Sequence, residues 1–331
     1  PGTHACPPPD ESKHPPQPGT SAPARPQTRQ IPALSQVHTG LRQNSKGVIK
    51  HPAQHFFLEN LIDYAGTFPP AALPLADSLA NFRADQQGPA PSMLGRFICS
   101  ASALAELAQR IEPDDTLLLS VLLNKPADLT LIDEFHAQVS KQVRVDTVET
   151  AWTGHAAEWT RLWNYRLFFE VTPTHFQEAA AFCAPQAARL GLKLRTGSVQ
   201  PEGIPPASQI SDFLAVAHNA RVPYKFTAGL HHACAGEYAL TYQPDAPRAR
   251  LYGFTSLFTL ACLHWCGHIS QAELTTELNN GGSPQADAEG LSWNDWRCSV
   301  AEIQDYRQRG GRSFGSCSFR EPLEELQEMG W

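Results

Sequence analysis

The chain has 331 residues, 42% hydrophobic and 18% charged, which allows one large globular domain or two ordinary ones. Its 26 Lys+Arg against 33 Asp+Glu give a net charge of -7, and no basic stripe is interleaved with aromatics, which argues against nucleic acid as a partner. No apolar stretch approaches the roughly 20 residues of a membrane helix, and the first residues lack the pattern of a secretory signal. A soluble, cytoplasmic protein is the expectation, with its eight cysteines as free thiols.

Residues 1–50 are rich in Pro, Ser, Gln and Thr and nearly free of large apolar side chains. Such a segment buries too little to offset its ordering entropy, so a disordered tail is expected there and a single folded domain over 52–331. From residue 52 onward, short apolar runs alternate with helical patterns. Eight runs read as strands: "NLIDYAG" (60–66), "RFICSAS" (96–102), "TLLLSVLL" (116–123), "VRVDTVETAW" (143–152), "YRLFFEV" (165–171), "LKLRTGS" (192–198), "YKFTAGL" (224–230) and "SFGSCSF" (313–319). Helix-like segments such as 127–140, 174–191 and 208–220 lie between them. This rhythm predicts a parallel sheet, and its count and length match a (β/α)8 TIM-like barrel. An open doubly wound sheet is the alternative, but the GxGxxG turn of a dinucleotide fold is absent, as is the Walker pattern. Two further helices, 251–267 and 270–280, read as an insertion between the seventh and eighth strands, of the kind that builds a lid or an oligomer contact.

Strand residues alternate between the barrel interior and the surrounding helices. In "LKLRTG" the leucines take the outer face, which turns Lys193, Arg195 and Gly197 inward. In "YKFTAG" Tyr224 and Phe226 face out, leaving Lys225, Thr227 and Gly229 inside. "RLFFEV" turns Glu170 inward, and if Val143, Val145 and Thr147 face the axis, Glu149 joins them. Charges from four successive strands therefore converge toward the carboxyl ends, where barrel enzymes hold their active sites, with His231 and His232 on the loop above. Buried charge is costly unless paired, so such a group is either a salt-bridged plug or a site.

Three readings of the group stay open. A lysine beside another cation becomes a nucleophilic amine, with a carboxylate or histidine to move protons, which makes a lyase or aldolase needing no cofactor. Arg195 would then fork a substrate carboxylate or phosphate, so the expected ligand is a small anionic metabolite, with Gly197, Ser198 and the "GSCS" segment (315–318) adding donors. The second reading is a divalent metal on Asn124, Glu149 and Glu170, or on His231, His232 and Asp63. The third is a barrel that binds a small anion without chemistry. "CLHWCGH" places Cys262 and Cys266 on one helix face with His264 and His268 nearby, but no second pair of ligands with its own spacing is visible, so core packing is expected there. Cys317 is a candidate thiol with no partner close in sequence. "SWNDW" reads as an aromatic contact, and "FREPLEEL" as a helix start.

Two resemblances add to this. The strands "LKLRTG" and "YKFTAGL" resemble class I aldolases of the deoxyribose-phosphate type, with a lysine before threonine-glycine and a lysine before a glycine. That resemblance implies Lys193 as the Schiff-base residue and Lys225 as its tuner, although Arg195 stands where that family has a small residue. The blocks "LIDYAGTFPPA" (61–71), "KFTAGLHH" (225–232) and "FGSCSFREPLEEL" (314–326) resemble an uncharacterised bacterial family of barrel-like proteins. This second resemblance implies one intact domain and places Asp63 and Ser316 near the same rim.

Overall fold

The eight apolar runs form eight parallel strands: β1 (Ile62–Tyr64), β2 (Leu94–Ser100), β3 (Leu117–Leu122), β4 (Val143–Ala151), β5 (Arg166–Glu170), β6 (Leu190–Arg195), β7 (Tyr224–Thr227) and, after five short strands, β13 (Gly311–Ser316). Neighbours in sequence pair in order, and β13 pairs with both β7 and β1, so the sheet closes as a barrel. The computed structural model describes residues 49–154, 159 and 164–331; the tail expected over 1–50 lies outside them but for its last two residues. Among the described residues, no helix is long and apolar enough to cross a membrane.

Helices alternate with the strands as the (β/α)8 pattern requires. A short α1 (Pro52–Leu58) precedes β1, followed by α2 (Leu75–Gln86), α3 (Leu104–Ala108), α4 (Leu129–His136), α5 (Phe176–Cys183), α6 (Ala207–Ala220), α7 (Phe254–Trp265), α8 (Gln271–Asn280), α9 (Val300–Arg309) and α10 (Arg320–Glu328). The connection after β4 includes residues outside the described set. The outer faces of the strands are aromatic, as alternation predicts. Tyr224 and Phe226 pack on Phe213 of α6 at 5.7 and 6.2 Å, and Phe226 also meets Phe258 of α7 at 5.3 Å. Phe169 of β5 packs on Trp152 and Phe182.

One parity reading needs correction. Leu119 of β3 pairs with Val145, whereas Ser120 pairs with Thr147, so Asp146 is an extra residue in β4. Paired residues of a parallel ladder share a face, and the Ser120 hydroxyl points inward to Glu149. Leu119, and with it Val145 and Val143, therefore faces the helices rather than the axis. The bulge resets the alternation, so that Thr147 and Glu149 still point inward.

The two helices read between the last strands are α7 and α8. All twelve residues of α7 are buried, and Phe254 stacks on Phe314 of β13 at 5.2 Å, so α7 supports the barrel wall rather than covering its mouth. Two small sheets complete this segment. One is a hairpin of β8 (Gly236–Ala239) and β9 (Arg248–Leu251), and the other joins β10 (Gln285–Ala286), β11 (Gly290–Trp293) and β12 (Trp296–Ser299). The turn between β11 and β12 carries "SWNDW"; Trp293 is buried and donates to Glu277 at 2.8 Å, the structural contact expected of it.

Behind β6 and β7 the two following loops touch backbone to backbone. A Cβ on Gly197 would lie 2.3 Å from the Gly229 Cα, and Gly229 itself has φ +72°. Thr196 tightens the junction, its hydroxyl donating to the Ala228 carbonyl at 2.7 Å. Gly197→Ala is expected to lower stability by about 1–3 kcal/mol through this overlap. By contrast Gly267, at φ +80° with open space around it, should cost only the left-handed strain of about 1–2 kcal/mol. Chemical denaturation of the two variants checks the order.

Candidate functional site

Inside the barrel the predicted charges form a continuous alternating ladder. Lys225 Nζ lies 2.7 Å from Asp63 Oδ2 and 2.5 Å from Glu149 Oε1. Glu149 Oε2 is 2.8 Å from Lys193 Nζ, which is also 2.8 Å from Glu170 Oε2. Arg195 closes the series, its Nε 3.1 Å from Glu170 Oε1. Ser120 donates to Glu149 at 2.6 Å, Ser313 donates to Asp63 at 2.7 Å, and the Arg96 amide donates to Asp63 at 2.8 Å. Every buried carboxylate oxygen of Asp63 and Glu149 thus has a donor, which is the condition for ionised groups to persist out of water.

Burial increases along the ladder from rim to interior. The Arg195 side chain is 55% exposed and Glu170 28%, whereas Lys193, Glu149, Lys225 and Asp63 are all nearly or fully buried. Burial alone would raise the Glu149 carboxyl, but the two ammonium groups outweigh it and hold it far below the usual carboxylate range. Glu170 is lowered too, with Lys193 outweighing its burial. Burial would lower Lys193, yet Glu149 and Glu170 reverse the sign and raise it.

Above the ladder, at the carboxyl ends of the strands, opens a cavity of about 540 Å³. Lys193 and Glu149 line it, along with Arg195, Gly197, Ser198, Thr227, Gly229, His231 and His232. These sequence candidates do come together. Four others do not line the cavity, among them Glu170, which borders a neighbouring pocket with Trp152, Val171 and Leu194. Lys225 lies beneath Lys193 and lines a separate cavity at the opposite end of the barrel with Arg96 and Thr147. Asp63, expected near the rim, is sealed in the interior against Lys225, because it sits in the middle of a three-residue strand. Ser316 is buried while its neighbours Gly315 and Cys317 face the cavity, as period-two alternation dictates.

The two histidines differ. His232 is fixed by structure: its Nδ1 is 2.5 Å from Glu325 of α10, and its ring stacks on Tyr238 at 3.4 Å. The helix start read in "FREPLEEL" is thus also an anchor for this loop, with Glu325 accepting from the Ala233 amide as well. His231 is pushed down to about 4, by burial first and by His232 second, so it is neutral at pH 7. Ser316 gives its one proton to the Ser318 carbonyl at 2.6 Å, so its oxygen accepts from His231 Nδ1 at 3.2 Å. His231 Nε2 is then the unprotonated nitrogen.

The metal set Asn124, Glu149 and Glu170 is not assembled. Both Glu149 oxygens are taken by lysines, and Asn124 is exposed beyond β3, with its backbone N–H donating to Asp128. Nor do His231, His232 and Asp63 converge, since Asp63 lies in the interior and His232 is held by Glu325. Sequence reasoning missed Tyr242 and Glu321, which line the cavity and bond to each other at 2.8 Å. It also missed the partner of Cys317, whose Sγ is 3.8 Å from His231 Nδ1; burial raises this thiol. Tyr242 belongs to the turn between β8 and β9, the segment that borders the cavity along with Leu251. No motif marks such a turn.

No family model and no curated protein matches the chain. Among solved structures, the crystal structure of lysine/ornithine decarboxylase complexed with cadaverine from Vibrio vulnificus is similar with a TM-score of 0.34 and 10% identity, over 53% of this chain and about half (48%) of that one.

Lys225→Met leaves Asp63 and Glu149 short of a buried counter-charge and should cost about 3–5 kcal/mol, read from denaturant unfolding. The pH dependence follows from the shifts. Glu149 and Glu170 are lowered in the folded state, so their stabilisation is complete above the unfolded value of about 4.3 and lost as pH falls below it. Lys193 is raised, so its stabilisation is complete below about 10.4 and lost as pH rises past that value. Stability should therefore plateau between these limits, and Glu149→Gln should shrink the acid limb.

Proposed function

We propose that the protein is a small-molecule lyase that binds a carbonyl-bearing anion in the rim cavity and attacks it with Lys193. The observation that carries this reading is the position of the Lys193 ammonium, a lysine nitrogen at the cavity floor within 2.8 Å of two carboxylates. Glu149 and Glu170 hold Lys193 protonated, so the reacting form is the minor free amine, its proton given up to water in the cavity. The amine adds to the substrate carbonyl, one of its protons passes to the new alkoxide, and a proton returned from solvent lets the hydroxyl leave as water while the iminium forms. His231, neutral and at the same cavity, takes the proton of a β-hydroxyl as the adjacent carbon–carbon bond breaks into the iminium. The resulting enamine recovers that proton from His231, and water hydrolyses the iminium to restore Lys193. Arg195, at the cavity edge with its Nε on Glu170 and its side chain 55% exposed, supplies charge for the substrate carboxylate or phosphate. These steps need no cofactor.

A second reading rests on the completeness of the ladder. Since each of its charges already has a partner, the same cavity also suits a receptor for a small anion without chemistry. Incubation with sugar phosphates and keto acids under borohydride separates the two. A reduced adduct is expected on the peptide carrying Lys193, absent in Lys193→Met, and formed faster as pH rises, because only the unprotonated form of this raised lysine reacts. Binding that survives both Lys193→Met and Glu170→Gln, with no adduct from any compound, would establish the receptor instead.

A further inference from the structure

A second cluster of reactive side chains lies in α7 and β12, among residues that do not line the rim cavity. Cys262 lies in α7 and Cys266 caps its carboxyl end one turn later, its amide bonded to the Cys262 carbonyl at 2.9 Å, so the two share a face. The sheet of β10, β11 and β12 packs on α7 and brings in Cys298 from 32 residues further along the chain (298 − 266). The three ligand sulfurs all lie within 4.8 Å of one another. Sulfurs around a tetrahedral ion with metal–sulfur bonds of about 2.3 Å stand about 3.8 Å apart, a difference that small side-chain rotations close. The sequence showed no second pair with its own spacing, and the structure supplies the missing ligand from a distant strand.

Apolar packing alone does not account for this convergence. A cysteine used as a small hydrophobe disperses among carbon neighbours, and α7 offers these in abundance with Phe258, Leu260 and Leu263 all buried. Here three sulfurs instead face one another. Cys262 and Cys298 are fully buried while Cys266 is partly exposed, so the cluster reaches solvent on one side, which gives an ion a path of entry. On that side α7 ends at Trp265, and Gly267, at φ +80°, turns the chain back so that the His268 amide bonds the Leu263 carbonyl at 2.9 Å. His268 Nε2 is 2.7 Å from Glu302 Oε1, the imidazole–carboxylate pairing that fixes a ring with Nδ1 as its free nitrogen.

We propose that Cys262, Cys266 and Cys298 form a site for one thiophilic divalent cation of the zinc class. Binding releases three thiol protons to solvent and leaves a tris-thiolate complex of net charge −1 at a divalent ion, with water in the fourth position. The site joins the end of α7 to the β10–β12 sheet and is structural, since none of its three cysteines lines the rim cavity.

The test uses the full chain, reduced and stripped with chelator, and titrated with Cd(II) as the probe. One cadmium per chain is expected, with a thiolate-to-metal charge-transfer band in the ultraviolet that Zn(II) displaces. Cys266→Ser, the least buried of the three, should weaken cadmium binding at least tenfold, while Cys317→Ser leaves it unchanged. Alkylation mapped by mass spectrometry keeps the proposal falsifiable should a serine variant misfold: Zn(II) should protect Cys266, the accessible member of the three, in the unaltered protein but not Cys234. Absence of the band, equal binding by a folded Cys266→Ser, or alkylation of Cys266 that Zn(II) does not slow would each overturn the assignment.

Discussion

Glu149 holds one negative charge between two ammonium groups in the interior of a closed barrel, and the geometry of the rim follows from that arrangement. Neither lysine tolerates burial alone, and the carboxylate tolerates it only because Ser120, Lys193 and Lys225 satisfy its oxygens. Removing any member strands the others. Lys193 is thereby fixed in the cavity floor, Glu170 is drawn to Lys193, and Arg195 is drawn to Glu170. A floor of Val, Ile and Leu would carry no desolvation penalty, so the ladder holds its charges in fixed positions at a cost that only complete pairing offsets.

The fold was legible because its two periodicities are strong. Tyr224, Phe226, Leu192 and Leu194 announce an apolar outer face, and the absence of nucleotide-binding glycine patterns narrows the alternatives. Inward placement of Lys193, Lys225 and Glu170 follows from the same alternation. The reading of β4 failed at Val143 and Val145 because a bulge is a one-residue phase change that no residue type announces; Asp146 is drawn instead to Arg96, at 2.6 Å.

Depth was less legible than direction. Alternation says which way Asp63, Lys225 and Ser316 point but not how far along the barrel axis each sits, since that depends on strand stagger. Lys225 and Lys193 are register partners on adjacent strands, yet Lys193 lines the rim cavity while Lys225 lines the one at the opposite end. Tyr242, Glu321 and the His231–Cys317 contact were invisible for a different reason: they arise from a hairpin, a helix start and a strand end that meet only in three dimensions. The three converging cysteines belong to this class too.

The contact between Gly197 and Gly229 bears on how this pocket can diversify. Because the loops after β6 and β7 meet through backbone, that side of the cavity is a wall whose position no side-chain exchange can move without parting the loops. Elsewhere the boundary is built from side chains, among them Leu240 and Tyr242 of the β8–β9 turn. Changes in the size of the cavity can therefore come from the hairpin, which can lengthen, shorten or exchange its tip while the glycine wall and the charged floor stay in place.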